Sequence, residues 1–316
     1  MKKMFGFTAI LLCSFLLLPL TAFKNTEKVI PSLSQSTTEK ETESFRICNT
    51  ETEKVEEIST EDYIFGVVAA EMPALYEPET LKAQAVAAYT FALYRKQANQ
   101  NNNYDLTDSH LSDQSYITLE QAKERWGDNA DEYIDKIKSA IADVKDYAIV
   151  YQNQPILAVY HAISYGTTED AKNVWGGDYP YLKPVDSYGD KLCKDYISNL
   201  SVTAEEFKQK LQEKTEFTDN PENYLGEITR TDSGMVKKIK ICGKEISGDS
   251  IREIFSLRSA NFEAEYKDGN FNFTVYGYGH SIGLSQNGAN FLAKQGADFK
   301  EILNHYYKDC EIKKIK

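Results

Sequence analysis

The residue types best suited to chemistry are gathered in residues 277–288, which read GYGHSIGLSQNG. Glycine accepts positive φ and has no side chain to obstruct a ligand, so this segment predicts a close approach between the backbone and a bound molecule. His280 and Ser285 lie within it, and the amide of Gln286 can bond two neighbouring hydroxyls or an N-acetyl group. This composition is that of a polyol-binding or catalytic loop at the start of a helix.

A single carboxylate stands near the end of a second segment, residues 66–73, which read GVVAAEMP. Glu71 follows four small or branched apolar residues, so its surroundings are predicted to be dry. A carboxyl in dry surroundings keeps its proton near neutral pH, which a general acid for glycosidic cleavage requires. The alternative is an exposed residue at a helix C-terminus, although a carboxylate there opposes the helix dipole.

A third group of polar residues follows residues 156–162, ILAVYHA, which are predicted to form a buried strand in a hairpin with residues 147–151. His161 either orients a substrate or is a hydrogen-bonded core histidine. Ser164 stands in the polar turn that follows. Further along the chain, Asp186 is either a site residue or a turn cap.

The elements that must position these residues alternate between helical and strand periodicity. Ser59 to Asp62 resembles a capping box before one helix, Pro73 ends that helix, and Pro78 suits the first turn of the next. Further helices are predicted at 120–126, 132–145 and 203–214, and strands at 235–242, 261–266 and 271–276. The last two strands are predicted to form a hairpin with its turn at Asp268 and Gly269. The pattern indicates an α+β fold, with an antiparallel-rich sheet and helices forming a single substrate groove. Residues 201–255 are predicted to be a small inserted subdomain.

Four segments together resemble the SpoIID/LytB family of cell-wall proteins. They are residues 66–73, 81–88 (LKAQAVAA), 277–289 and 302–307 (ILNHYY), and the resemblance covers about residues 45–307. It implies that Glu71 is the catalytic acid and that peptidoglycan glycan strands are the substrate. It also implies that the substrate-binding residues include His161, Ser164, Asp186, His280, Ser285 and Gln286.

Two positions depart from the family pattern. Tyr89 stands where the family usually has arginine, and Tyr165 stands where it has glycine. An arginine could hold a carboxylate or stabilise charge in the site, and tyrosine does neither as well. We therefore expect that Lys82 or another cation takes over this role beside Tyr89, or that activity is reduced. Both Lys82 and Tyr89 are counted among the substrate-binding candidates.

The number of carboxylates bears on the type of reaction. Hydrolytic glycosidases generally use two carboxylates that flank the scissile bond, and no second motif carboxylate of that kind stands out. A lytic transglycosylase works with one, which protonates the leaving oxygen and then acts as base while the substrate's own hydroxyl attacks. The sequence therefore favours a peptidoglycan lytic transglycosylase that leaves a 1,6-anhydro end. The alternative is a catalytically weak wall-binding module that enhances an amidase.

The family resemblance also implies partners and a place of action. These are a cell-wall amidase that strips stem peptides, a small membrane protein, and the septum between mother cell and forespore during engulfment. Some family members hold a metal near the histidine at position 161 with the help of cysteines. No cysteine lies between Cys48 and Cys193, so no tightly bound metal is predicted. No nucleotide-binding fingerprint occurs and no cofactor is predicted.

Composition sets the remaining limits. The chain has 316 residues, and its net charge of −12 argues against a nucleic-acid partner. Residues 1–23 are predicted to be a membrane anchor in preference to a cleaved signal, with the rest of the chain outside the cytoplasm. Residues 24–44 are predicted to be a flexible linker, and residues 45–316 the catalytic domain. Four cysteines outside the anchor form either one or two disulfides or buried free thiols.

Overall fold

The computed structural model describes residues 43–109, 111–218 and 220–315. The predicted anchor, residues 1–23, lies outside these ranges, as does the predicted linker up to residue 42. Within the described ranges, no helix has the length and apolar character needed to cross a membrane. The described residues belong to one compact unit, which contains two hydrophobic cores.

The first core begins with a small sheet and the two helices that follow it. Strand β1 (Ser44–Cys48) pairs antiparallel with β2 (Val55–Ser59) and parallel with β3 (Leu106–Thr107). Helix α1 (Thr60–Glu71) begins where the Ser59 hydroxyl accepts the backbone N–H of Asp62, as the predicted cap requires. It ends before Pro73, with Met72 in the extended backbone that proline imposes on the preceding residue.

Helix α2 (Pro78–Ala98) is the centre of this core. Its alanine-rich face is buried along most of its length, because small side chains allow other elements to approach closely. Helix α2 packs most extensively against α1 and against four further elements. These elements are α4 (Ala130–Asp143), β4 (Tyr147–Tyr151), α8 (Gln286–Lys294) and α9 (Phe299–Tyr306). Helix α3 (Leu119–Trp126) covers α1 and α4 from outside.

The predicted hairpin at 147–162 is wrong in its second arm. Strand β4 pairs with the short β5 (Gln154–Pro155) and with β14 (Glu311–Lys314). Pro155 has no N–H to donate to the ladder. After a last bond from the Ile156 N–H to the Ile149 carbonyl oxygen, the chain leaves β4, and the Leu157 N–H donates to the Tyr181 hydroxyl. Their continuous apolar character reflects burial among helices. Only β6 (Tyr160–His161) is a strand, and it pairs in parallel with β13 (Leu284–Ser285).

The second core lies between residues 202 and 275 and is rich in phenylalanine. Its elements are β7 (Ile197–Thr203), α6 (Ala204–Leu211), β8 (Leu225–Arg230), β9 (Val236–Ile241), β10 (Lys244–Ser247), α7 (Gly248–Phe255), β11 (Phe262–Lys267) and β12 (Asn270–Tyr276). Two antiparallel three-stranded sheets, in the orders β10-β9-β8 and β11-β12-β7, enclose it with α6 and α7. These elements run from Ile197 to Tyr276, so they extend beyond both ends of the predicted inserted subdomain, residues 201–255.

The described elements confirm the α+β class. Five small sheets and nine α-helices are present among the described residues. The one helix not yet mentioned is α5 (Ala171–Trp175). The predicted hairpin of β11 and β12 is confirmed, and its turn at Asp268 and Gly269 has positive φ at both residues. Strand β7, which sequence patterning did not identify, pairs with β12 along its whole length.

Candidate active site

Glu71 is the last residue of α1, and a backbone amide holds its carboxyl group. The Ser115 N–H donates to Glu71 Oε1 over 2.9 Å. Ser115 lies in the extended segment before α3, and this segment crosses α1 where Gly66 leaves room for the Tyr116 ring. Glu71 is partly exposed as a residue, and its carboxyl group is held by the protein through Oε1.

A cation from another helix offsets the unfavourable end of α1. The last turn of α1 contains no basic residue. Arg125 of α3 supplies one by donating from Nη1 to the carbonyl oxygens of Ala69 and Ala70, over 3.0 and 3.3 Å. A cation at a helix C-terminus interacts favourably with the helix dipole, which reduces the cost of placing Glu71 there.

A hydrogen-bonded network lies beside Glu71. Gln114 is buried, and its Nε2 donates to the Tyr63 hydroxyl over 3.1 Å. The Tyr160 hydroxyl donates to Gln114 Oε1 over 2.9 Å. Burial raises the pKa of Tyr160 well above its usual value, and the nearby charge of Glu71 raises it further. Gln84 lies beside the same hydroxyl, and neither of its amide atoms makes a hydrogen bond of normal geometry.

Ser164 and Ser285 meet at a buried carboxylate that sequence analysis missed. The N–H and hydroxyl of Ser164 donate to Asp190 Oδ2 over 2.9 and 2.6 Å. The Ser285 hydroxyl donates to Asp190 Oδ1 over 2.7 Å and also caps α8 by accepting the N–H of Gly288. Burial raises the pKa of Asp190, and the hydrogen bonds from the two serines oppose that change. Through the buried Asp190, the two serines connect the turn at Ser164 to the start of α8 at Ser285.

His161 and His280 lie together on the other side of β6. Their ring centroids are 5.7 Å apart, and Trp175 contacts His280 at a centroid distance of 5.3 Å. His161 Nδ1 donates to the Ile282 carbonyl oxygen, while the Ile282 N–H donates to His280 Nδ1. Burial lowers the pKa of His161 to about 4 and that of His280 to about 3. Both rings are therefore neutral at physiological pH.

A second buried carboxylate connects these histidines to the second core. Glu169 Oε2 accepts the Thr231 hydroxyl over 2.6 Å, and Oε1 accepts the Asp170 N–H and the Asn173 amide. The Glu169 N–H donates to the carbonyl oxygen of Ser281, directly after His280. Glu169 therefore fixes the glycine-rich loop against the connection between β8 and β9, which contains Thr231.

Gln286 and Asp186 occupy different environments. Gln286 is the first residue of α8, is almost fully buried, and has no hydrogen-bond partner for its Nε2. Asp186 is exposed, and its backbone pairs with Thr167 and accepts His305 Nε2 over 2.6 Å. The structure thus places Gln286 beside the serine network and Asp186 at its surface.

Lys82 and Tyr89 are not brought together with Glu71. Lys82 Nζ lies 2.8 Å from Glu79 and 2.9 Å from Asp143, and so forms an ion-pair link between α2 and α4. The Tyr89 hydroxyl donates to Glu43, and its ring packs against Phe45. The expectation that Lys82 compensates for the missing arginine therefore finds no contact in the structure to support it.

Tyr165, the other departure from the family pattern, joins the two cores. Its ring stacks with Tyr196 at 6.4 Å and meets Tyr276 edge-on at 5.5 Å. Gly234, between β8 and β9, lies so close to this ring that a Cβ there would come within 2.7 Å of it. Tyr165 therefore fills the junction between the Ser164 turn and the second core.

The potential metal ligands within the described ranges are histidine, cysteine and acidic side chains. Across the described ranges, no group of three or more His, Cys, Asp or Glu side chains is arranged to hold a metal ion. Cys48, Cys193, Cys242 and Cys310 are unpaired and partly buried. This distribution agrees with the free-thiol alternative.

Strand β6 connects the two clusters. Successive side chains of a strand point to opposite faces, so Tyr160 faces Glu71 while His161 faces His280. The sequence pattern indicated Glu71 and the histidines, but it gave no specific signal for Gln114, Ser115 and Asp190. Asp190 lies four residues after the candidate residue Asp186. Only the polar composition of the segment after Asp186 could have indicated Asp190.

Comparison with known proteins identifies relatives over most of the chain. The sequence model of one family, described as SpoIID, stage II sporulation protein, matches residues 48–151. Stage II sporulation protein D of Bacillus amyloliquefaciens is 36% identical over 293 residues, covering 92% of this chain and 83% of that protein. The Bacillus subtilis (strain 168) protein of the same name is 37% identical, with 85% and 78% covered. An amidase enhancer of Bacillus subtilis (strain 168) is 26% identical, and the match spans 39% of its length.

Proposed function

This chain belongs to the SpoIID family of sporulation proteins, and we propose that it is a lytic transglycosylase of peptidoglycan. The observation that carries the proposal is the position of Glu71, which is partly exposed at the end of α1 while a backbone N–H binds its Oε1. This arrangement fixes the carboxyl group of a side chain that is partly exposed, as a general acid for a large substrate requires. The substrate is the glycan strand, cleaved between N-acetylmuramic acid and N-acetylglucosamine.

The reaction needs one carboxyl group in two protonation states. Glu71 first donates its proton to the glycosidic oxygen as the bond from that oxygen to the anomeric carbon breaks. The resulting carboxylate then takes the proton of the C6 hydroxyl of the muramic acid, whose oxygen bonds to the anomeric carbon. The products are a new glycan end and a 1,6-anhydro ring, and Glu71 regains its proton. No water is consumed.

The other carboxylates of the site support the use of a single acid. Asp190 and Glu169 are both buried, and each accepts several hydrogen bonds from protein groups. A hydrolytic mechanism needs a second carboxylate that can activate water or attack the sugar. Carboxylates committed to internal hydrogen bonds are poorly suited to either role.

The test replaces Glu71 with glutamine in the full-length chain. Gln keeps the shape of the side chain but cannot donate and recover a proton, so Glu71→Gln is expected to lower cleavage by about 10²- to 10⁴-fold. Glu124→Gln, an exposed change on α3, is the matched control and should keep full activity. Mass spectrometry of the wild-type products should show 1,6-anhydro ends, one water lighter than reducing ends. Reducing ends, or a fully active Glu71→Gln variant, would contradict the proposal.

The second candidate function is enhancement of an amidase. It is favoured by the relative named amidase enhancer and by Tyr89, which binds Glu43 and offers no cation to the site. An enhancer would raise the rate of a cell-wall amidase while releasing no anhydro ends from glycan strands without stem peptides. Assays of the two activities on the same preparation separate the candidates.

The proposed anchor rests on the apolar run of residues 5–23, and the proposed partners rest on the family resemblance. We propose that residues 5–23 anchor the chain in the membrane, with the described residues in the septal space between mother cell and forespore. The proposed partners are a cell-wall amidase and a small membrane protein. N-terminal sequencing of the membrane fraction tests the anchor, and a start near Lys24 would contradict it.

A further inference from the structure

Gln114 has a fixed orientation, because its partners differ in what they can accept and donate. Its Nε2 faces the carbonyl oxygen of Ala88 at 3.4 Å, and that oxygen can only accept. Its Oε1 therefore faces Tyr160, whose hydroxyl must donate its proton. The Tyr63 hydroxyl accepts a further bond from Nε2. Three elements thus bind one buried amide: α1 through Tyr63, α2 through Ala88 and β6 through Tyr160.

The residue after Gln114 makes the contact with the candidate acid. Ser115 donates its N–H to Glu71 Oε1 over 2.9 Å. Only one peptide unit separates this N–H from the Cα of Gln114, so the position of the Gln114 side chain restrains the direction of the Ser115 N–H. Residues 114–117 contain no helix or strand, and their main-chain restraint near Glu71 is a bond from the Ile117 N–H to the Gly66 carbonyl oxygen at 3.3 Å.

We propose that Gln114 is a positioning residue for Glu71, with Tyr160 as the group that holds it in place. This role rests on the proposed function. The buried amide of Gln114 fixes the Ser115 N–H, and the Ser115 N–H fixes the Glu71 carboxyl group that delivers the proton to the glycosidic oxygen. Gln114 touches no substrate. Its contribution is to the rate of the chemical step, because a small displacement of a catalytic group lowers that rate sharply.

The test is Tyr160→Phe in the full-length chain. Phenylalanine keeps the ring and removes only the hydroxyl that donates to Gln114 Oε1. The matched control is Tyr224→Phe, which removes another buried tyrosine hydroxyl, one that donates to the Thr218 carbonyl oxygen over 2.7 Å in the second core. A second variant, Gln114→Met, keeps the length of the side chain and removes all of its hydrogen bonds.

Two measurements distinguish positioning from general destabilisation. The first is the release of anhydro ends as a function of glycan concentration, at a temperature where all the variants are folded. Tyr160→Phe and Gln114→Met are expected to lower kcat roughly 10-fold or more with KM changed less than about 2-fold. The second is hydrogen exchange of the Ser115 amide by NMR. It should become several-fold faster in both variants and stay unchanged in Tyr224→Phe.

The outcomes separate this inference from the proposed function. Wild-type kcat and wild-type Ser115 exchange in Tyr160→Phe would overturn the inference, as would a loss of kcat with unchanged Ser115 exchange. A wild-type chain that releases no anhydro ends would overturn the proposed function. In that case Ser115 exchange alone still decides whether Gln114 holds the amide that binds Glu71.

Discussion

His161 and His280 make stability depend on pH. The pKa of His161 is about 4 and that of His280 about 3 in the folded chain, against about 6.5 for an unfolded histidine. Between these values the unfolded chain binds more protons. The stabilisation of the folded chain by its two neutral histidines is therefore complete above about pH 6.5 and is lost as the pH falls toward 4. Each histidine is expected to reduce the free energy of unfolding by roughly 2 kcal/mol between pH 7 and pH 5.

A substitution isolates the contribution of His161. The amide nitrogen of asparagine occupies nearly the place of Nδ1, so His161→Asn can still donate to the Ile282 carbonyl oxygen while losing the titrating ring. Urea unfolding at pH 7 and pH 5 measures the effect. We expect the drop between the two pH values to be smaller by about 2 kcal/mol in the variant than in the wild type. An identical drop would show that His161 is protonated normally.

At the scale of elements, the contact between α1 and the segment 114–117 is set by one glycine. In an open helix, Gly→Ala stabilises by about 1 kcal/mol. Gly66 is different, because a Cβ there would overlap the Tyr116 ring and the Ile117 carbonyl oxygen. Gly66→Ala is therefore expected to lower the free energy of unfolding by about 1–3 kcal/mol, as measured by urea denaturation. A gain in stability would show that segment 114–117 moves to accept the alanine methyl group without any loss in the free energy of unfolding.

At the scale of the whole molecule, the two cores are joined through buried polar and aromatic contacts. Thr231→Val removes the hydroxyl that donates to Glu169 and leaves a buried carboxylate oxygen without that donor. It also removes the acceptor of the Met235 N–H. The expected loss is about 1.5–3 kcal/mol in the free energy of unfolding. The control is Thr229→Val, the same change at an exposed position of β8, which is expected to change stability by less than about 0.5 kcal/mol. Equal effects of the two substitutions would contradict a stabilising role for the Glu169 contact.

The sequence by itself determined the local elements and the identity of the candidate acid. Caps, proline positions and helical spacing located α1 and α2, because these signals act within a few residues of the chain. Alternation and a two-residue turn located the β11–β12 hairpin for the same reason. Motif residues also located Glu71, and the family resemblance was confirmed by relatives that cover most of the chain.

Only the tertiary structure decided which residues surround Glu71. Gln114 is 43 residues from Glu71 and Tyr160 is 46 residues from Gln114, so no local spacing could indicate that they meet. The sequence likewise could not separate Ser164 and Ser285, which bind a buried carboxylate, from residues that face a groove. It could not show that Lys82 is committed to Glu79 and Asp143. Hydrogen bonds and ion pairs between distant segments depend on how the helices and strands pack, and that packing is a property of the whole chain.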